Sequence, residues 1–222
     1  MSIVSSGYEY EKEKEQRMNN FMRTCVLVGL LLGISGCSDS PSQDATLSHS
    51  STEWKIAAYS TAAPSFIGDA ATIVDANGDV LRQGSNEWYC RSGNPRSEPD
   101  SGWASAHEAM PLCMDSVGLS WLTQYMSGQP PVIERDVYIW MLHGDVGEDN
   151  TTPMVLNEAD SDPQNWIESG AHLMLMPKDP SSLSEFSSDF NEGGPYVMFQ
   201  DTPDAHLMIP VNGYYDYQPQ AQ

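Results

Sequence analysis

Residues 25–34 read C-V-L-V-G-L-L-L-G-I, ten residues without a charge, and that length decides where the rest of the chain can fold. A helix needs about 20 apolar residues to cross about 30 Å of hydrocarbon, so the run is too short to span a bilayer. It fits the apolar region of an export signal, with Arg23 as the positive flank. Met18 is the natural start of such a signal, because the residues before it carry mixed charge and add nothing to it. A chain so addressed folds outside the reducing cytoplasm, where disulfides persist.

The run ends in Ile34-Ser35-Gly36-Cys37, an aliphatic residue, two small residues and a cysteine. This resembles the lipobox of bacterial lipoproteins. The resemblance implies that Cys37 takes a thioether-linked diacylglycerol, becomes the first residue, and anchors the protein to a membrane. Ser38, rather than Asp, at the next position implies transfer to the outer membrane. The alternative is an ordinary secretory signal with a coincidental cysteine. The expected organisation is a lipoprotein signal over residues 1–36, a flexible tether over 37–52 and one globular domain over 53–222. The tether is polar and without periodicity, and His49 within it reads as a solvated linker residue.

Of the four cysteines, Cys25 leaves with the signal and Cys37 is taken by lipid. Cys90 and Cys113 remain, an even pair in an oxidising compartment, and a disulfide is the expected outcome. Closing a loop of this size is worth roughly 3 kcal/mol in the chain-entropy model. A thiolate metal site is the rival reading, but no C-x-x-C spacing supports it. The chain carries 31 acidic against 10 basic side chains, a formal charge of −21. The signal removes four of each sign and leaves that balance unchanged. Such a surface excludes nucleic acid as a partner, because phosphate contacts need Lys and Arg.

Within the domain, residues 53–60 suit a first strand or a short helix, and 70–75 with 80–83 flank Asn77-Gly78, a strong hairpin signal. The same stretch, D-A-N-G-D, matches the start of a calcium loop but has Val80 where the sixth position needs Gly. Residues 88–90 read as a strand, and 90–113 as an irregular loop pinned by the disulfide. Val117, Trp121, Leu122 and Tyr125 recur at helical spacing over 115–126. Residues 132–143 alternate as a long strand; 171–176, 196–199 and 206–211 are short strands, with a short helix over 180–186. Hairpins without a βαβ rhythm predict an α+β domain: an antiparallel sheet of short strands, one or two helices and one disulfide.

The tetrapeptide A-H-L-M occurs twice, at residues 171–174 and 205–208. Residues two apart on a strand share a face, so His172, Met174 and Met176 line one side of one strand, and His206 and Met208 one side of another. Were the strands neighbours in matching register, two imidazoles and two or three thioethers would converge. That donor set suits copper, since thioether selects Cu(I) and imidazole serves either oxidation state. The competing reading is core packing, which weighs more: Leu173, Leu175, Leu207 and Ile209 fill the opposite face, and Met is a common filler of irregular cores. Trp88-Tyr89-Cys90, Pro111 to Asp115, Gly170 to Met174, Gly194 to Met198 and Ala205 to Pro210 together resemble a group of exported bacterial proteins without an established activity. The resemblance covers about residues 85 to 211. It implies shared fold and export, and carries over no functional residue.

Motifs for a nucleophile elbow, a zinc protease, a phosphate loop and a dinucleotide fold are absent from the sequence. His143, at a strand end beside Asp145, is the best lone candidate for a general base. The acidic stretch 144–162 could bind calcium weakly, though a solvated loop is the simpler reading. Three functions stay open: a lipid-anchored envelope binding module, most concretely one handling copper through His172, Met174, His206 and Met208; a periplasmic hydrolase using His143; and a structural envelope lipoprotein without a ligand.

Overall fold

The computed structural model describes residues 47–211; the leader, Cys37 and the first part of the tether lie outside the described residues. The end of the expected tether is docked chain. His49 Nδ1 donates to the Trp103 carbonyl at 2.7 Å, since a carbonyl can only accept, and the ring stacks on Trp54. Ser51 caps α1 (Thr52–Ser60) by accepting from the Trp54 N–H. His49 is therefore a fastening point and not a solvated linker residue.

After α2 (Ser65–Gly68), β1 (Thr72–Val74) and β2 (Val80–Arg82) form the hairpin that Asn77-Gly78 predicted. Asp75 Oδ1 accepts from the N–H groups of Asn77 and Asp79, and Gly78 takes φ 88°, a conformation that costs glycine little. β3 (Tyr89–Ser92) and β4 (Pro111–Met114) pair antiparallel with Cys90 directly opposite Cys113, and the two are joined by a fully buried disulfide. The segment between them was expected to be irregular throughout. Its ends are strand, and it contains α3 (Ala106–Ala109), capped by Ser105.

The helix read from residues 115–126 is α4 (Ser116–Met126). Asp115 caps it, accepting from the Val117 and Gly118 N–H groups, and pairs with Arg135 at 2.6 Å. β5 (Val137–Met141) is shorter than the strand expected from residue 132. Gln124 captures the Val132 backbone on both sides, its Oε1 accepting from the N–H and its Nε2 donating to the carbonyl, so that backbone is not available to a neighbouring strand. β6 (Glu148–Asp149) and β7 (Trp166–Ile167) make a small two-stranded sheet. β8 (His172–Met176), β9 (Tyr196–Met198) and β10 (His206–Pro210) complete the large one. A single 3-10 turn, Pro180–Leu183, stands where a short helix was expected over 180–186.

The large sheet runs β2-β1-β3-β4-β5-β8-β10-β9, and among the described residues every pairing except β1 with β3 is antiparallel. The fold is α+β, with one disulfide. Cys90, Cys113 and Trp140 face the side on which α1 packs, together with Tyr59 and Trp103. Met114, Ile139, Met174 and Met208 face the side on which α4 packs through Trp121, Leu122 and Tyr125. No helix of the described residues is long and apolar enough to cross a membrane.

Gly118 sets how closely α4 can approach this second face. A Cβ added there would lie 2.8 Å from the Met114 Cβ and 3.5 Å from Ile139 Cγ1, so the helix would have to lift off. The Gly118→Ala variant is expected to lose roughly 1–3 kcal/mol of unfolding free energy in urea, despite alanine's better helix propensity. A neutral or stabilising result would contradict this packing.

Candidate methionine-histidine cavity

β8 and β10 are direct neighbours, and each turns its histidine and methionines to the α4 side. The pairing is antiparallel, with Met174 opposite Met208 and His172 opposite Pro210. The two tetrapeptides therefore run past one another in opposite directions. His172 and His206 lie four residue steps apart along the ladder, about 13 Å at the usual strand rise. The four residues named from sequence share one face and line one cavity, with the backbone positions of the two histidines offset along it and the imidazoles still within electrostatic reach of each other.

Neighbouring strands extend the pattern into rows across the sheet. Met141 stands opposite His172, and Ile139 opposite Met174. Met198 stands opposite His206, and Tyr196 opposite Met208. One step beyond the Leu207–Leu175 pair, the register brings His206 across from Met176. The cavity over these rows has a volume of about 50 Å³, room for an ion or a water or two. An organic ligand generally needs a pocket of about 300–1,000 Å³.

Both imidazoles are fixed by backbone carbonyls. His172 Nδ1 donates to the Gly170 carbonyl at 2.6 Å, and His206 Nδ1 to the Asp204 carbonyl at 2.9 Å. At His206 the carbonyl partner puts the proton on Nδ1 and the lone pair on Nε2, the tautomer of a metal-ligating histidine. The His206 ring is also held edge-on between Trp121 and Phe199, at centroid distances of 5.9 and 5.5 Å. Burial pushes both imidazoles from 6.5 down to about 4, so they stay neutral at neutral pH.

Two carboxylates share the cavity wall. Asp145 is buried and accepts from the Gly147 N–H, the Ser169 N–H and the Ser169 hydroxyl. Burial pushes Glu148 up to about 8, with the nearby charge of Asp145 adding to it and Arg96 opposing. Arg96 holds this wall in place. Its Nη2 donates to the Gly147 carbonyl at 2.9 Å, and Nη2 and Nε both donate to the Leu156 carbonyl. The simple reading of 144–162 as a solvated acidic loop fails at three of its carboxylates: Asp145 and Glu148 line the cavity, and buried Asp149 binds Thr151, Thr152 and Ser161. Sequence reasoning named neither Met141 nor Met198 for this cavity, and it offered Asp145 and Glu148 only within the acidic stretch 144–162. The methionine-bearing strands around Met198 and Met141 were a signal; nothing local marked the two acids as cavity-lining.

His143 lies apart from this cavity, at the turn after β5. Its Nε2 is 2.7 Å from Thr61 Oγ1, and the Thr61 hydroxyl donates to the Ala58 carbonyl at 2.7 Å. With that hydroxyl proton committed, the imidazole donates to threonine and is not placed to take a proton from it. His107 Nδ1 in turn donates to the His143 carbonyl. Among the described residues no group of three His, Cys, Asp or Glu side chains stands together as a metal cluster. Cys37, the expected lipidation site, lies outside the described residues.

Comparison of the chain with known protein families, curated proteins and solved structures finds no match, so function has to be argued from this cavity.

The neutral imidazoles give the fold a pH signature. Below pH 6.5 the unfolded chain takes up a proton at each, and the folded chain refuses it until about pH 4. Stability from these two groups is complete above 6.5 and is lost as pH falls across that window, by about 1.4 kcal/mol per unit per imidazole. Glu148 works in the opposite sense, losing stability as pH rises from 4.5 towards 8. The His172→Asn variant keeps a donor for the Gly170 carbonyl and removes one such proton. Its unfolding free energy, measured by denaturant titration from pH 4 to 6.5, should rise with pH less steeply than the wild type's by about 1.4 kcal/mol per unit. An unchanged slope would place His172 in solvent.

Proposed function

We propose that this protein is a lipid-anchored cell-envelope binding module, held on the outer membrane through Cys37, and that its ligand is a copper ion taken into the cavity between α4 and the β8–β10 ladder. The observation that carries the reading is one buried sheet face on which thioethers and carbonyl-oriented neutral imidazoles line a cavity of ion size. Thioether is a poor ligand for hard cations and a good one for monovalent copper. All of these donors are uncharged, so an ion entering brings an uncompensated positive charge. Asp145 and Glu148 in the same wall supply the compensation and disfavour an anion.

An exported, oxidising location suits such a task. Buried methionine does not form disulfides, and the two cysteines of the folded domain are already paired with one another. The anchor would keep the bound ion at the membrane surface while the acidic exterior keeps the domain soluble.

Anaerobic competition between the purified protein and a chromogenic Cu(I) chelator tests the ligand. One equivalent bound more tightly than about 1 μM is expected. Binding no tighter than that would end the copper reading. Mass spectrometry of envelope material tests the anchor separately: the protein should begin at Cys37 and carry diacylglycerol on that sulfur. A bare sulfur or a retained leader would remove the anchor and leave the cavity argument standing.

A further inference from the structure

The cavity offers three rows of side chains, and they differ in what they can give a metal. The row through Met141 and His172 ends against Pro210, so it supplies one thioether and one imidazole. The middle row, Ile139, Met174, Met208 and Tyr196, supplies two thioethers and no imidazole. The third row runs Val137, Met176, His206 and Met198, with the imidazole between two thioethers on adjacent strands. Neighbours across a ladder have Cβ atoms about 4.5–5.5 Å apart, and side chains stand roughly perpendicular to the sheet. Two sulfurs and a ring nitrogen from successive strands can therefore close on one point above His206.

We infer that Met176, His206 and Met198 form a three-coordinate site for monovalent copper, with His206 Nε2 and the two sulfurs as ligands. The inference rests on the copper reading above and narrows it, replacing the pairing of the two tetrapeptides with a row drawn from three strands. Met198, on β9, belongs to neither tetrapeptide. Each ligand is held before any metal arrives. The Asp204 carbonyl and the edges of Trp121 and Phe199 orient the imidazole, and Met176 and Met198 are 1% and 2% exposed. Three uncharged ligands without water suit the low coordination number of Cu(I), and offer little to Cu(II) or Zn(II), which prefer more nitrogen and oxygen.

The test is carbon-13 methionine-methyl NMR of the intact protein, titrated with Ag(I) as a redox-inert stand-in and then with Cu(I) under argon. The methyls of Met176 and Met198 should shift with one equivalent, together with the Nε2 resonance of His206, while those of Met174, Met208 and Met141 move little. Met176→Leu and Met198→Leu conserve volume and should each weaken Cu(I) binding about tenfold or more, whereas Met174→Leu should change it less than about threefold. If Cu(I) binds at one equivalent but the shifts and losses fall on Met174, Met208 and His172, the third-row site is overturned and the copper reading survives. If neither ion moves any methionine methyl, both fall together. The NMR experiment uses the native sequence, so a variant that fails to fold does not blunt it.

Discussion

The antiparallel register between β8 and β10 fixes the character of both sides of the sheet. In an extended strand a shift of one residue exchanges every side chain between faces. Here the register sends Leu175, Leu207 and Ile209 to one side, where they pack with Leu183 and Val197, and sends the methionines and histidines to the other beneath α4. A one-step slip would place His172 and His206 among the aliphatics and open the α4 side to leucine. The slip is opposed at both ends of the ladder, because β5 and β9 grip β8 and β10 in the same register. Two histidines bonded to carbonyls two residues upstream, Gly170 and Asp204, add local pins outside the ladder.

The other half of the sheet is secured differently. β3 and β4 carry the disulfide at a paired position, and α1 closes over it with Tyr59 and the Trp103 region. The His49 hydrogen bond to Trp103 and its stack on Trp54 draw the chain before α1 onto that same cluster. A covalent link between two strands that are already neighbours removes conformations from the unfolded chain, and its value grows with the loop it closes. Cysteine chemistry thus supports the face away from the cavity. The cavity face is left to methionine and histidine, which oxidising surroundings do not cross-link.

Local signals in the sequence reported local structure well. Apolar spacing from Val117 to Tyr125 marked α4, and Asn77-Gly78 marked the β1–β2 turn. The shared burial of the two A-H-L-M strands followed from their alternation. What sequence did not reveal came from side chains that take hold of backbone outside their own element. β5 starts late because Gln124, on the preceding helix, takes the Val132 backbone. Asp145 and Glu148 are drawn inward because Arg96, about fifty residues earlier, binds the carbonyls of Gly147 and Leu156. The offset of the two copies was equally hidden: two identical tetrapeptides suggest like beside like, whereas the antiparallel pairing that was expected brings unlike positions together. That is why the richest donor row draws on Met198, outside both copies.

A cavity this small and this soft also constrains how a charge can enter it. An ion losing its water meets neutral sulfur and nitrogen, which replace hydration only where the ion is itself weakly hydrated. A monovalent cation leaves a single charge to balance, and the wall holds two carboxylates that share a confined space, one of them satisfied by three donors. Two such groups close together resist both being ionised. With Glu148 protonated, the cavity wall is left at most the single charge of Asp145. With Glu148 ionised it gains the charge that a bound cation requires. In the proposed copper site the acids would stand beside the thioether rows and outside the three ligands, supplying charge that an apolar wall of leucine would lack.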